Sequence, residues 1–314
     1  MDLLPAWPYV KPWYRITRED GRLLLEYAQS VVVLEGAAVD RLLPALLPLL
    51  DGTRDVPTIV AELGRDLEPA VRNAVGVLAA HGVLTDGPPD DGRDGRVAVA
   101  ALAAASVRGR SPADVRDALS TRCVTVRGAS PLAEAVAELL RASAVEHVVR
   151  EALEAPLQGD LVVAAPSPGE RSVLADVNAA ALAAGVPWLQ VIESDGRFSA
   201  VGPLYLPGET CCWQCFQLRR RANVGYPDEF DAIEATAAPR RSSPAVDASA
   251  AAVAAWAAQR WVVDDDPFLA GSFSAVEVGA ELSLRRHHVY AVPRCSACSA
   301  AAQSSPPLPW AEAA

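Results

Sequence analysis

Arg122-Cys123-Val124-Thr125-Val126-Arg127-Gly128-Ala129-Ser130-Pro131-Leu132 reads as a strand, a turn and the start of a helix, and it sets the fold class of most of the chain. The apolar run 122–127 has the length and branching of a buried strand. Beyond the turn, Leu132, Val136, Leu139 and Leu140 fall on one face of a helix reaching Ala142. Two further apolar runs, 161–166 and 187–192, flank an Ala-rich helix over 173–184. Strand, helix and strand at this spacing predict a parallel α/β sheet with right-handed crossovers.

The turn stands where a dinucleotide-binding loop would lie. Such a Gly-x-Gly-x-x-Gly loop brings backbone amides close to phosphates, and the following helix N-terminus adds partial positive charge. Only Gly128 keeps that pattern; Ser130 and Ala133 hold the other two glycine positions, and Pro131 removes an amide donor. No bound nucleotide is expected on this reading.

Cys212-Trp213-Gln214-Cys215 and Cys295-Ser296-Ala297-Cys298 supply four of the chain's 6 cysteines. Two Cys-x-x-Cys knuckles can close a tetrahedral zinc site, structural because no coordination position is left for substrate or water. Cys123 reads as a small buried hydrophobe and Cys211 as a spare neighbour of the first knuckle.

With 314 residues, a net charge of -11, 51% hydrophobic and 21% charged residues, the chain reads as a soluble globular protein of two or three domains. Its start lacks the features of a secretory signal, and the Ala-rich run 248–258 is interrupted and short for a bilayer. A cytoplasmic protein without membrane contact is expected. That compartment keeps thiols reduced, which favours metal ligation over disulfides for the paired cysteines.

A polar stretch rich in Gly, Pro and Asp over 85–95 divides the chain into a module 1–86, a linker 87–96 and a larger domain 97–314. A second polar stretch, 238–244, reads as a loop inside the larger domain, between the two cysteine pairs. In the module, short β-branched or aromatic runs at 13–16, 22–27 and 30–34 predict a three-stranded meander. Leu42, Leu43, Leu46, Leu47 and Leu50 then recur at helical spacing, interrupted by Pro44 and Pro48. A helix from Asp55 to Leu63 and another opened by Pro69 and ending near Gly82 complete a winged-helix-like unit.

Charge argues against DNA as its ligand: residues 1–86 carry 8 Lys plus Arg against 12 Asp plus Glu, a net of -4, and the would-be recognition helix offers only Arg72. No nucleic-acid partner is expected. An extended peptide could pair with 30–34 if that strand is an edge; an ordinary small structural domain fits the same pattern.

The run 201–223, Val-Gly-Pro-Leu-Tyr-Leu-Pro-Gly-Glu-Thr-Cys-Cys-Trp-Gln-Cys-Phe-Gln-Leu-Arg-Arg-Arg-Ala-Asn, resembles a segment of the ThiF-like proteins of azole-forming peptide biosynthesis. The closing Cys295-Ser296-Ala297-Cys298 fits the same family, and the N-terminal module resembles the PqqD-like recognition element carried ahead of its ThiF-like domain. The resemblance spans essentially the whole chain. It implies a Rossmann-type α/β domain with a structural zinc site of four cysteines, preceded by a winged-helix peptide recognition element.

It also implies a non-catalytic partner of a separate YcaO-type cyclodehydratase, the ATP-dependent enzyme that turns Cys, Ser or Thr of a ribosomally made precursor into azolines, as in thiopeptides and linear azole-containing peptides. In that family the leader of the precursor adds to the third strand and lies beside the third helix. Carried onto this sequence, the peptide-binding residues are Ser30, Val31, Val32, Val33, Leu34, Arg72, Val75 and Leu78, and the metal ligands are Cys212, Cys215, Cys295 and Cys298. A homodimer is implied by relatives.

The same superfamily contains adenylyltransferases, which activate a carboxylate with ATP. Their site needs a glycine-rich loop, a ribose-binding acid, Arg and Lys on the phosphates and an Asp for magnesium. In this chain the loop is degraded, no Lys follows Lys11, Glu146 or Glu151 is a ribose ligand by position only, and 166–170 offers the single carboxylate of Glu170. A zinc-containing transcription regulator is a third reading. Among the remaining residues, His287 and His288 read as strand residues, Arg219, Arg220 and Arg221 as a solvated helix face, and Asp264, Asp265 and Asp266 as a solvated loop. Trp256 and Trp261 read as core or dimer contacts.

Overall fold

The computed structural model describes residues 4–87, 95–236, 242–279 and 281–299. Most of the stretch read as a linker, and the centre of the loop 238–244, fall outside the described residues. The chain divides into two compact units, Met1–Ala118 and Leu119–Ala314. This division falls after Ala118, later than the polar stretch that marks it in the sequence.

In the first unit, β1 (Pro8–Val10) precedes a meander of β2 (Arg15–Glu19), β3 (Arg22–Tyr27) and β4 (Ser30–Glu35), paired in the order β2-β3-β4. Pro44 and Pro48 break the leucine-rich segment into α1 (Ala37–Arg41), α2 (Leu43–Leu46) and a 3-10 turn over Leu47–Leu49. In α3 (Val56–Leu63) the Asp55 side chain caps the start by accepting from Thr58 N at 2.8 Å. α4 (Glu68–Ala80) opens at Pro69, and β5 (Leu84–Asp86) returns to pair antiparallel with β1. Leu23 and Leu25 of β3, Leu46, Ile59, Val71, Val75 and Leu78 close one core. α5 (Arg96–Ala105) belongs to the same unit: Arg96 donates to Asp51 O at 2.6 Å and lies over the Tyr9 ring. α6 (Pro112–Thr121) spans the division between the units.

The second unit is built on β6 (Cys123–Arg127), α7 (Pro131–Ala142), β7 (His147–Glu151), β8 (Leu161–Ala164), α8 (Leu174–Ala184), β9 (Trp188–Ile192) and β10 (Phe198–Tyr205). It continues through α9 (Trp213–Asn223), α10 (Phe230–Glu234), α11 (Pro244–Asp264), β11 (Ser272–Val278) and β12 (Leu282–His288). The sheet has the order β12-β11-β10-β9-β8-β6-β7. β6, β8 and β9 run parallel, as their apolar patterns predict, β7 joins them as a parallel strand that the sequence reading does not include, and β10, β11 and β12 extend the sheet antiparallel. α7 packs with α11, and α8 with α9.

Two charged runs differ from their expected solvation. Asp264 and Asp266 are 3% and 0% exposed; Arg260 pairs with Asp266, and Asp265 takes Arg122 at 2.7 and 3.3 Å. Burial of an acid requires a partner: Arg260 lies on α11 itself, and Arg122 stands just before β6. The arginines of α9 are also engaged: Arg219 donates to Tyr290 O and Ala291 O, Arg220 forms a two-pronged pair with Glu234, and Arg221 donates to Pro227 O. Trp256 is exposed and Trp261 half-buried, so neither is a core residue.

Candidate metal centre and peptide-binding edge

The first knuckle forms where β10 gives way to α9. Cys212 is the N-cap of α9 and Cys215 sits in its first turn, while Asn178 of α8 fixes the entry by accepting from Trp213 N at 3.0 Å. The second knuckle follows β12, tightened by Cys295 N donating to Val292 O and Ser299 N donating to Cys295 O. Arg219 joins the two, since its guanidinium rises from α9 onto the carbonyls of Tyr290 and Ala291.

All four Sγ atoms lie within 4.8 Å of one another, with Cys212–Cys215 at 3.8 Å, Cys212–Cys295 at 3.7 Å and Cys215–Cys298 at 3.6 Å. A tetrahedron of sulfurs about 2.3 Å from a zinc ion has edges of about 3.8 Å, so these three spacings match a zinc site and the cluster is compatible with one. Val292 N donates to Cys215 Sγ at 3.3 Å, an outer hydrogen bond of the type that orients a ligating sulfur. Cys212, Cys215 and Cys295 are buried in the core beside Phe216, Trp188 and Tyr205. Burial pushes the Cys212 thiol well up and Cys298 up to about 12, and only in Cys295 do backbone donors from Ala297 and Cys298 outweigh it. Ionising such thiols together takes the charge of a cation. Cys211, pushed up to about 12 by burial and then by Cys215 and Cys212, stays outside the ligand cluster.

The structure distributes the eight residues assigned to a peptide unequally. β4 is an edge strand, and its register with β3 pairs Val32 with Leu25 and Leu34 with Leu23, which places Val32 and Leu34 against the core. Val31 and Val33 point the other way, 54% and 45% exposed, opposite Glu26 and Leu24. Val31, together with Arg15, Thr17 and Ser30, borders a shallow depression of about 490 Å³. Arg72 is exposed and holds Glu68 at 2.8 Å. Val75 and Leu78, however, are 0% and 1% exposed. They fill the core under β3 and do not face a ligand, because a helix that packs on a sheet spends its apolar stripe on that contact.

A pocket of about 270 Å³ lies beyond the C-terminal ends of β8 and β9, lined among others by Gln190, Trp213 and Phe230. Its two arginines are already paired, Arg171 with Glu193 and Arg220 with Glu234.

No protein-family model matches the chain, and no curated protein matches it in sequence. Solved structures match its fold. A heterocyclase in complex with substrate and cofactor superposes with a TM-score of 0.65 at 23% identity over 93% of this chain. The heterocyclase TruD gives 0.65 at 25% identity over 94% of this chain. The chain spans about two fifths of those proteins, 39% and 43% of their lengths. The E. coli enzyme MccB, solved with ATP, gives 0.59 at 14% identity over 93% of this chain and is matched over 99% of its own.

Proposed function

We propose that this protein binds the leader of a ribosomally made precursor peptide and presents it to a YcaO-type ATP-dependent cyclodehydratase for azoline formation, without catalysing a step itself. The PqqD-like role falls to the first unit and the docking role to the zinc-braced second unit. The observation that carries the reading is β4, an edge strand whose core-side residues are anchored while Val31 and Val33 stay exposed. Such a strand can accept an extended peptide by backbone pairing, with side-chain selectivity from the exposed alternate positions. Support comes from the likeness to heterocyclases, one solved with its substrate, and from MccB solved with the peptide MccA.

A labelled leader peptide titrated against the full-length protein tests this, with saturable binding expected and a flat titration sinking it. A second arm adds the protein to its cyclodehydratase and precursor, where faster azoline formation is expected. The adenylyltransferase reading draws on the likeness to MccB, which was solved with ATP. It predicts precursor-dependent exchange of pyrophosphate into ATP.

A further inference from the structure

In the sheet order β9-β8-β6-β7, the chain leaves β6 toward β7 on one side and β8 toward β9 on the other. Open α/β sheets receive their ligands outside the carboxyl ends of the strands at such a reversal. Here the crevice is filled by the chain itself. Gly128, at φ +114°, approaches so closely that a Cβ on it would lie 2.2 Å from Ala165 O. Ser130 Oγ donates to the same carbonyl at 2.7 Å, and Ala165 N donates to Arg127 O at 2.9 Å.

Charges complete the closure. Glu170 Oε2 accepts from Ala129 N at 2.9 Å, from Ser167 N at 2.7 Å and from Ser167 Oγ at 2.8 Å. The two Ser167 bonds cap the short turn that Glu170 belongs to, but the third comes from the β6–α7 turn, 41 residues away. That turn is where a phosphate would meet backbone amides in a dinucleotide-binding loop. Arg150 braces the turn from below, donating to Val126 O at 3.0 Å and Gly128 O at 2.9 Å. At the end of β7 stands Glu151, the position from which an acid would hold ribose hydroxyls. Its carboxylate is taken at 2.7 Å by Arg127, a side chain with 0% exposure that also donates to the carbonyls of Ala155 and Pro156.

We infer that the chain carries its own anion where the fold would hold a nucleotide phosphate: Glu170 occupies the turn's amide and the Arg127–Glu151 pair occupies the ribose-binding position. Nucleotide is excluded by self-occupancy as well as by the missing glycines. The inference goes beyond leader binding and is independent of it.

Removing the Glu170 carboxylate frees Ala129 N and Ser167 N beside the Arg150 guanidinium, so an oxyanion should enter. The test is a titration of full-length, 15N-labelled protein with inorganic phosphate and then ATP, following the amide resonances of Ala129 and Ser167. In the wild type these resonances should not move at millimolar ligand. In Glu170→Ala they should shift saturably, with phosphate bound at least about tenfold more tightly than in the wild type, as expected when an ionic hydrogen-bond competitor is removed. Glu170→Gln, which keeps an acceptor but loses the charge, should show a smaller gain and carries the test if the alanine variant does not fold. A saturable shift at Ala129 in the wild type overturns the inference, and so does a folded variant that takes up no phosphate. Leader affinity measured on the same variants should be unchanged, so failure of leader binding and failure of the closure are read separately.

Discussion

Cys212 Sγ lies 3.7 Å from Cys295 Sγ although 83 residues of chain separate them. Between them run α9, α10, α11, β11 and β12, so a metal ion held here would fasten the segment that follows β10 to the segment that follows β12. Constraining a loop of that length removes much of the freedom of the unfolded chain, and buried thiols give the ion a site with little access to water.

The protein should contain one zinc ion per chain, lost on replacing Cys212 or Cys295 with Ser. Loss of the ion should destabilise the second unit by at least about 3 kcal/mol, a fall of roughly 6–12 °C in Tm for a unit of this size. Elemental analysis and thermal denaturation check both. A zinc-free variant melting with the wild type would mean that the cluster does not brace the fold.

The two faces of the first unit should respond oppositely. Val33→Glu, on the exposed side of β4, should weaken leader binding while leaving the urea midpoint close to wild type. Leu78→Ala, in the core, should cost about 2–5 kcal/mol of stability. Comparing leader affinity with equilibrium unfolding for the pair separates contact from scaffold.

Glu151→Ala would leave the Arg127 guanidinium buried with only carbonyl partners. Breaking one side of a buried ion pair costs about 3–5 kcal/mol, and denaturant titration should find a loss of that order. Burial already holds Arg127 below the ordinary arginine value, with Glu151 acting against that shift.

Stability should decline in acid through identifiable carboxylates. Burial alone would raise Glu170, but the donors at Ala129 and Ser167, and then Arg150, hold it below its ordinary 4.5. Asp51 is likewise held below 3.8, with burial offset by Thr53 and Arg54. Both are more acidic folded than unfolded, so their contribution is complete above the unfolded values and disappears as pH falls through the folded ones. Urea midpoints measured from about pH 6 down to about pH 3 should fall most steeply below about pH 4.5, and less steeply in Glu170→Gln.

What the sequence reveals here depends on how local the cause is. The strand, turn and helix at 122–142, the interruption by Pro44 and Pro48, the capped start at Asp55 and the two knuckles all follow from residues within a few positions of one another. β10 is harder to see because Gly202 and Pro203 interrupt its apolar run, and its irregular pairing with β9 falls at the same place. The partners that Arg219 finds at Tyr290 and Ala291, and Glu170 at Ala129, are set by tertiary register. Asp266 looks like part of a solvated acidic run until Arg260 is placed beside it. Val75 and Leu78 show the reverse error: matched to a groove by element order, they belong to the helix stripe that the core consumes.

The arrangement of the thiols also bears on the order in which the protein is made. A ribosome releases Cys212 and Cys215 long before Cys295 and Cys298, so for 83 residues of synthesis the first knuckle is a half-site with two of its four sulfurs. Those same sulfurs belong to the core against α8 and β10. Final closure of that core therefore waits for the second knuckle, and a metal ion held by all four sulfurs can be captured only after Cys298 has been made.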